Sequence, residues 1–117
     1  FTAPLVEEVV YRGVLYPAFR VKLSEPLSIF LVTLVFALIH VPQYLPNYGT
    51  IIVITILSLT LTLVRAKTGS LLPCVVIHTI FNGITSLLLV AEPFLPKTLA
   101  PPDEPTTSMI LRLLSLQ

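Results

Sequence analysis

Residues 27–41, LSIFLVTLVFALIHV, contain no Asp, Glu, Lys or Arg and admit a single ionisable side chain, His40, near their far end. So continuous an apolar surface is unfavourable in water and favourable in a bilayer, where a helix satisfies its backbone polar groups within its own segment. The same texture returns at residues 50–64 and 70–91, again built of Leu, Ile, Val, Phe and Thr. Composition agrees with this reading. A soluble domain is about a quarter charged. Here Asp, Glu, Lys and Arg make up 11% of the chain against 55% hydrophobic residues, which places it among integral membrane proteins. The expected fold is all-α, a polytopic transmembrane helix bundle of about four helices.

Local signals set the expected boundaries. A first helix spans residues 4–20, with Pro4 in its first turn and Pro17 bending or ending it. Ser24-Glu25-Pro26 reads as the start of the second, and the Pro42 to Gly49 stretch as its end. The third stops at Arg65-Ala66-Lys67-Thr68-Gly69, and Ser70 is placed to cap the fourth, with Pro73 in its first turn. Beyond Ala91 the character changes. Five prolines between residues 93 and 105 predict an extended connector, and the apolar stretch at 109–116, interrupted by Arg112, is too short to span. The expected organisation is therefore a core at residues 1–92 followed by a Pro-rich connector and short apolar segment at 93–117. The opening at Phe1, without Met and beside a Glu pair, predicts the C-terminal part of a larger membrane protein with helices upstream. Arg20 and Lys22 before the second helix, with Arg65 and Lys67 after the third, fall on one side of an antiparallel pair. The positive-inside rule makes that side cytoplasmic.

Three polar clusters interrupt this apolar background: Glu7-Glu8-x-x-x-Arg12, Phe36-x-x-x-His40 and His78-x-x-x-Asn82. An ionisable group at a bilayer centre costs roughly 2.5–3.5 kcal/mol on insertion scales, so such groups mark an internal network or a reaction. At about 1.5 Å per residue, Glu7 lies about 20 Å along its helix from Arg20, and His40 roughly 20 Å from Pro26. His78 and Asn82 lie about 12 and 18 Å from Ser70. All are measured from the same basic side, so the groups share one slab of the bundle. Glu8 and Arg12, four apart, suit an intrahelical ion pair. Glu7 is turned about 100° away from Glu8 and is left as the free acid or base. Phe36 stands one turn before His40 and can buttress its ring, and Tyr11, one turn from Glu7, is expected to pack.

A Glu and a His facing one another can hold a water molecule and deprotonate it. A second His with an Asn can stabilise the oxyanion formed when that water attacks an amide carbonyl. This is peptide hydrolysis without a covalent intermediate, and no Ser or Cys stands with a base at a recognisable spacing. Cys74 reads as a buried structural thiol that cannot form an intrachain disulfide. Zinc held by Glu7, His40 and His78 is the alternative, since His and Glu are common ligands of catalytic zinc. The His-Glu-x-x-His motif is absent, and the metal-free scheme, without cofactor, is preferred. The net charge of +1 argues nothing about nucleic acid, and with no basic run to contact phosphates no nucleic-acid partner is expected.

In this order and on hydrophobic helices, the three motifs resemble the signature of the CAAX-protease and bacteriocin-processing family of intramembrane endopeptidases, which includes the Ras-converting CAAX endopeptidases. The resemblance covers residues 7–82. It implies a helical membrane fold with an intramembrane cavity, Glu7 and His40 as the water-activating pair, and His78 and Asn82 as oxyanion stabilisers. Glu8, Arg12 and Phe36 are then structural support. Members of the family have been described both as metalloendopeptidases and as metal-independent glutamate proteases. The implied substrate is a membrane-associated peptide or protein, cleaved in a prokaryotic plasma membrane or an organelle membrane; prenyl recognition belongs to the eukaryotic branch. Two other classes compete: a non-enzymatic scaffold or immunity protein on the same fold, and a proton-coupled transporter. The transporter is disfavoured because a relay spreads its titrating groups across the membrane.

Overall fold

The structure is a computed structural model that describes residues 2–91 and residue 94. All regular structure among these residues is helical: α1 (Thr2–Glu8), a π-helical segment (Val9–Leu15), α2 (Tyr16–Arg20), α3 (Glu25–Tyr44), α4 (Tyr48–Thr68) and α5 (Leu72–Ala91). The first three pieces follow one another without a break and correspond to the single first helix expected from the sequence. The chain divides into two compact units, residues 1–81 and the part beginning at Asn82. The connector and apolar segment expected at 93–117 lie, Phe94 apart, outside the described residues.

Helices α3, α4 and α5 are each long and apolar enough to cross a membrane. Helix α3 shows how residues are sorted between its two sides. Leu27, Phe30, Leu34 and Leu38 are exposed at spacings of three and four, whereas Ser28, Ile29, Val32, Thr33, Phe36 and Ala37 are buried. These outward side chains are Leu and Phe, whereas the packed side includes the small or hydroxylated Ser28, Thr33 and Ala37. That suits a lipid surroundings, in which small residues allow close approach and polar ones form interhelical bonds. Helix α4 repeats the pattern, burying Ser58, Leu61 and Thr62 and exposing Ile52, Val53, Ile56, Leu59 and Leu63. A three-residue link, 45–47, makes α3 and α4 an antiparallel packed pair. Tyr16, Ile29 and Val32 form a core against which Phe19 and Ala66 pack, so the end of the first helix meets the basic end of α4.

Three boundaries differ from the sequence reading. Helix α3 continues past Pro42 to Tyr44. Proline withdraws one N–H donor, a loss that membrane helices tolerate, and the helix stops where Leu45 turns extended ahead of Pro46. Helix α4 runs through Arg65 and Lys67 to Thr68, cations being favourable at the C-terminal end of a helix dipole. Its stop is Gly69, whose φ of 66° is left-handed and whose N–H bonds Arg65 O at 3.0 Å. Ser70 falls one residue short of capping α5, since the N–H of Val75 reaches the carbonyl of Leu71 at 3.1 Å. At the start of α4, Asn47 Oδ1 accepts the N–H of Thr50 at 3.1 Å, a side-chain cap that the sequence reading did not name.

Candidate active site

Arg12 is fully buried. Its guanidinium is a planar fork of five donors, the cation best suited to burial among several acceptors. Nη1 donates to Glu8 Oε1 at 3.0 Å, the contact expected from their i,i+4 spacing. Nη2 donates to Ser58 Oγ at 2.8 Å and to Ser58 O at 2.9 Å, and Nε reaches Thr62 Oγ1 at 3.3 Å. The Phe36 ring lies below, 4.8 Å from Cζ to the ring centroid. Arg65 Nε in turn donates to the carbonyl of Arg12 at 3.1 Å. The Arg12 and Arg65 side chains thus join the first helix to α4. Ser58 and Thr62 were missed from sequence; their i,i+4 spacing on an apolar helix was the available signal.

Glu8 is also fully buried, and Oε1 accepts a second bond, from His78 Nδ1 at 2.8 Å. The other oxygen, Oε2, is buried without a hydrogen-bond partner. Glu7, the next residue, is turned away from this interior position. Its side chain is 30% exposed, against 0% for Glu8, which separates a partly exposed carboxylate from an enclosed one. Glu7 Oε2 stands 3.7 Å from His78 Nε2. The His78 imidazole thus lies between two carboxylates, one at each ring nitrogen.

His40 is partly buried on α3. Its Nδ1 lies 2.7 Å from Phe36 O. A carbonyl only accepts, so Nδ1 carries the hydrogen and, in the neutral ring, the lone pair sits on Nε2. The ring is held between Phe36, centroids 4.6 Å apart, and Tyr44, at 6.2 Å and 17° from parallel. Phe36 also meets His78 at 6.3 Å and Tyr11 edge-on at 4.9 Å, which makes this buried ring the common neighbour of both imidazoles and Arg12. Glu7 and His40 are not in direct hydrogen-bond or ion-pair contact; the short carboxylate–imidazole contacts among the described residues are those of His78. Asn82 follows His78 by one turn on α5 and opens the second unit. Cys74 is buried with Sγ 3.3 Å from Leu61 O, as a packed thiol.

The described residues contain no group of three His, Cys, Asp or Glu side chains arranged to hold a metal ion. Glu7, His40 and His78, as placed, do not form such a group. What remains is a half-exposed carboxylate beside an imidazole anchored from behind, with a second imidazole whose free nitrogen is a hydrogen-bond acceptor. Such groups can polarise water and accept its proton.

Comparison with known proteins bears on residues 1–84, which match the family model described as type II CAAX prenyl endopeptidase Rce1-like. That span includes all seven side chains of the three sequence motifs. No curated protein and no solved structure matches the chain.

Proposed function

The chain belongs to the type II CAAX prenyl endopeptidase Rce1-like family, and from that membership and the carboxylate–imidazole arrangement we propose that it is an intramembrane endopeptidase cleaving a membrane-associated peptide or protein. In this reading Glu7 is the general base. His40, with its lone pair on Nε2, accepts a hydrogen bond from the attacking water and orients it. Glu7 takes the water's proton as the oxygen adds to the amide carbonyl, and the resulting oxyanion accepts from Asn82 and from His78, which enters the step as an imidazolium with hydrogens on both ring nitrogens. When the tetrahedral adduct collapses, the C–N bond breaks and the proton on Glu7 passes to the departing amine nitrogen. Each atom is thereby accounted for by these side chains and one water.

The observation that most supports the reading is the division of labour between the adjacent acids. Glu8 is enclosed and bonded to Arg12 and His78, while Glu7 is partly exposed with its carboxylate 3.7 Å from the same imidazole. Glu7→Gln in the full-length protein keeps size and hydrogen bonding but removes the base. Its expected effect on cleavage of a membrane-associated peptide is a fall of about 10²–10⁴-fold, the usual contribution of a general base. Unchanged turnover would defeat the mechanism. Failure of the wild type to cleave any peptide would favour a scaffold or immunity role on the same fold.

A further inference from the structure

We infer that Glu8 is a positioning residue of the reaction, orienting His78 through its Nδ1 nitrogen while Arg12 holds Glu8 in register; the inference rests on the hydrolytic reading above. An ionised carboxylate has no hydrogen to donate. Arg12 Nη1 donates to the same Oε1 at 3.0 Å, so this oxygen is already an acceptor. The 2.8 Å contact therefore requires the hydrogen on His78 Nδ1. With Nδ1 committed, the other ring nitrogen is turned toward the partly exposed Glu7 Oε2. To donate to an oxyanion from Nε2 the ring enters the step as an imidazolium, with hydrogens on both nitrogens, and the Glu8 carboxylate lies directly behind it. A buried carboxylate plays this part toward the histidine of Ser-His-Asp sites, fixing its orientation and stabilising the imidazolium without itself taking up the proton.

The alternative, that Glu8 merely neutralises Arg12, explains less of the geometry. Arg12 is already bonded to the hydroxyl and carbonyl of Ser58 and to Thr62. Glu8 has two partners among the described residues, Arg12 and His78, both on Oε1. Its position is thus defined as much by the imidazole as by the guanidinium. The chain of contacts runs from α4 through Arg12 and Glu8 to α5, ending on the nitrogen behind the proposed site.

Two readouts on the full-length protein test this. Nitrogen-15 NMR of the histidine rings, with His78 assigned by its disappearance in His78→Gln, is expected to show hydrogen on Nδ1 of His78 in the wild type. A wild-type His78 with a bare Nδ1 overturns the positioning role, a test that does not require any Glu8 variant to fold. In Glu8→Gln the His78 ring signals are expected to change while those of His40, held by Phe36 O, stay in place. The variant should lose kcat by up to about 10⁴-fold, as when the orienting carboxylate of a Ser-His-Asp site is neutralised, with KM little altered. A folded Glu8→Gln protein that cleaves peptide at the wild-type rate overturns the inference. A wild type with the expected Nδ1 hydrogen but no peptidase activity overturns the hydrolytic reading instead, so the two failures are distinguishable.

Discussion

Arg12 concentrates the cost of building this interior. Its charge is enclosed and bonded at Glu8, Ser58 and Thr62, and removing one partner of a buried pair typically costs about 3–5 kcal/mol because the other charge is left uncompensated. Arg12→Ala is therefore expected to lower the melting temperature in detergent and the level of folded protein. Arg12→Lys should recover only part of the loss, since an ammonium is a point donor and cannot replace the fork that reaches Glu8 and Ser58 together. Normal melting of Arg12→Ala would sink this account. The Glu8–Arg12 contact was legible because four residues along one helix determine both distance and direction. The Glu8–His78 bond was not. Depth along each helix follows from residue counting, but rotation about the helix axis does not, and that bond joins residues seventy positions apart.

At the level of elements, the first helix and α4 show where sequence patterns are ambiguous. The Tyr16 N–H bonds the carbonyl of Tyr11, the wider i→i+5 step of a π-helix, in the segment immediately after Glu8. π-Helical turns often occur at functional sites, yet no local composition marks this one, and the sequence reading placed the helix's one irregularity at Pro17. On α4, hydroxyls hide one another. Thr55, Thr60 and Thr68 bond carbonyls four residues back, as hydroxyls do on any helix, and so disguise the two that face inward. Ser58→Ala with Thr62→Val is expected to destabilise the protein by about 1–3 kcal/mol for each buried donor of Arg12 left unpaired. Thr60→Val is the matched control: its hydroxyl is exposed and bonded only to Ile56 O, so thermal unfolding should stay near wild type. Equal melting of both variants would mean that Arg12 does not depend on α4. On α5, Asn82→Ala removes one proposed oxyanion donor worth about 10²–10³-fold. It should retain more cleavage than Glu7→Gln, and the reverse order would reassign the two roles.

At the scale of the whole chain, apolar runs identify the three helices long enough to cross a membrane, because a lipid-facing helix needs little beyond length and hydrophobicity. The same simplicity blurs their ends, where Pro42 and Arg65 sit inside helices that the sequence reading had stopped short. The chemistry at the polar slab leads to a last test. Zinc requires Glu7, His40 and His78 around one point, whereas His78 lies beside Glu7, and His40 is held by Phe36 and Tyr44 without touching either carboxylate. Water activation by Glu7 needs no metal in this scheme. Cleavage by the full-length protein in lipid should accordingly survive exhaustive chelation and gain nothing from added Zn²⁺. Loss of turnover on chelation, restored by Zn²⁺, would overturn the metal-free scheme. It would also require His40 and His78 to converge on Glu7 in the active state, a rearrangement detectable as ring-nitrogen shifts of both histidines on metal addition.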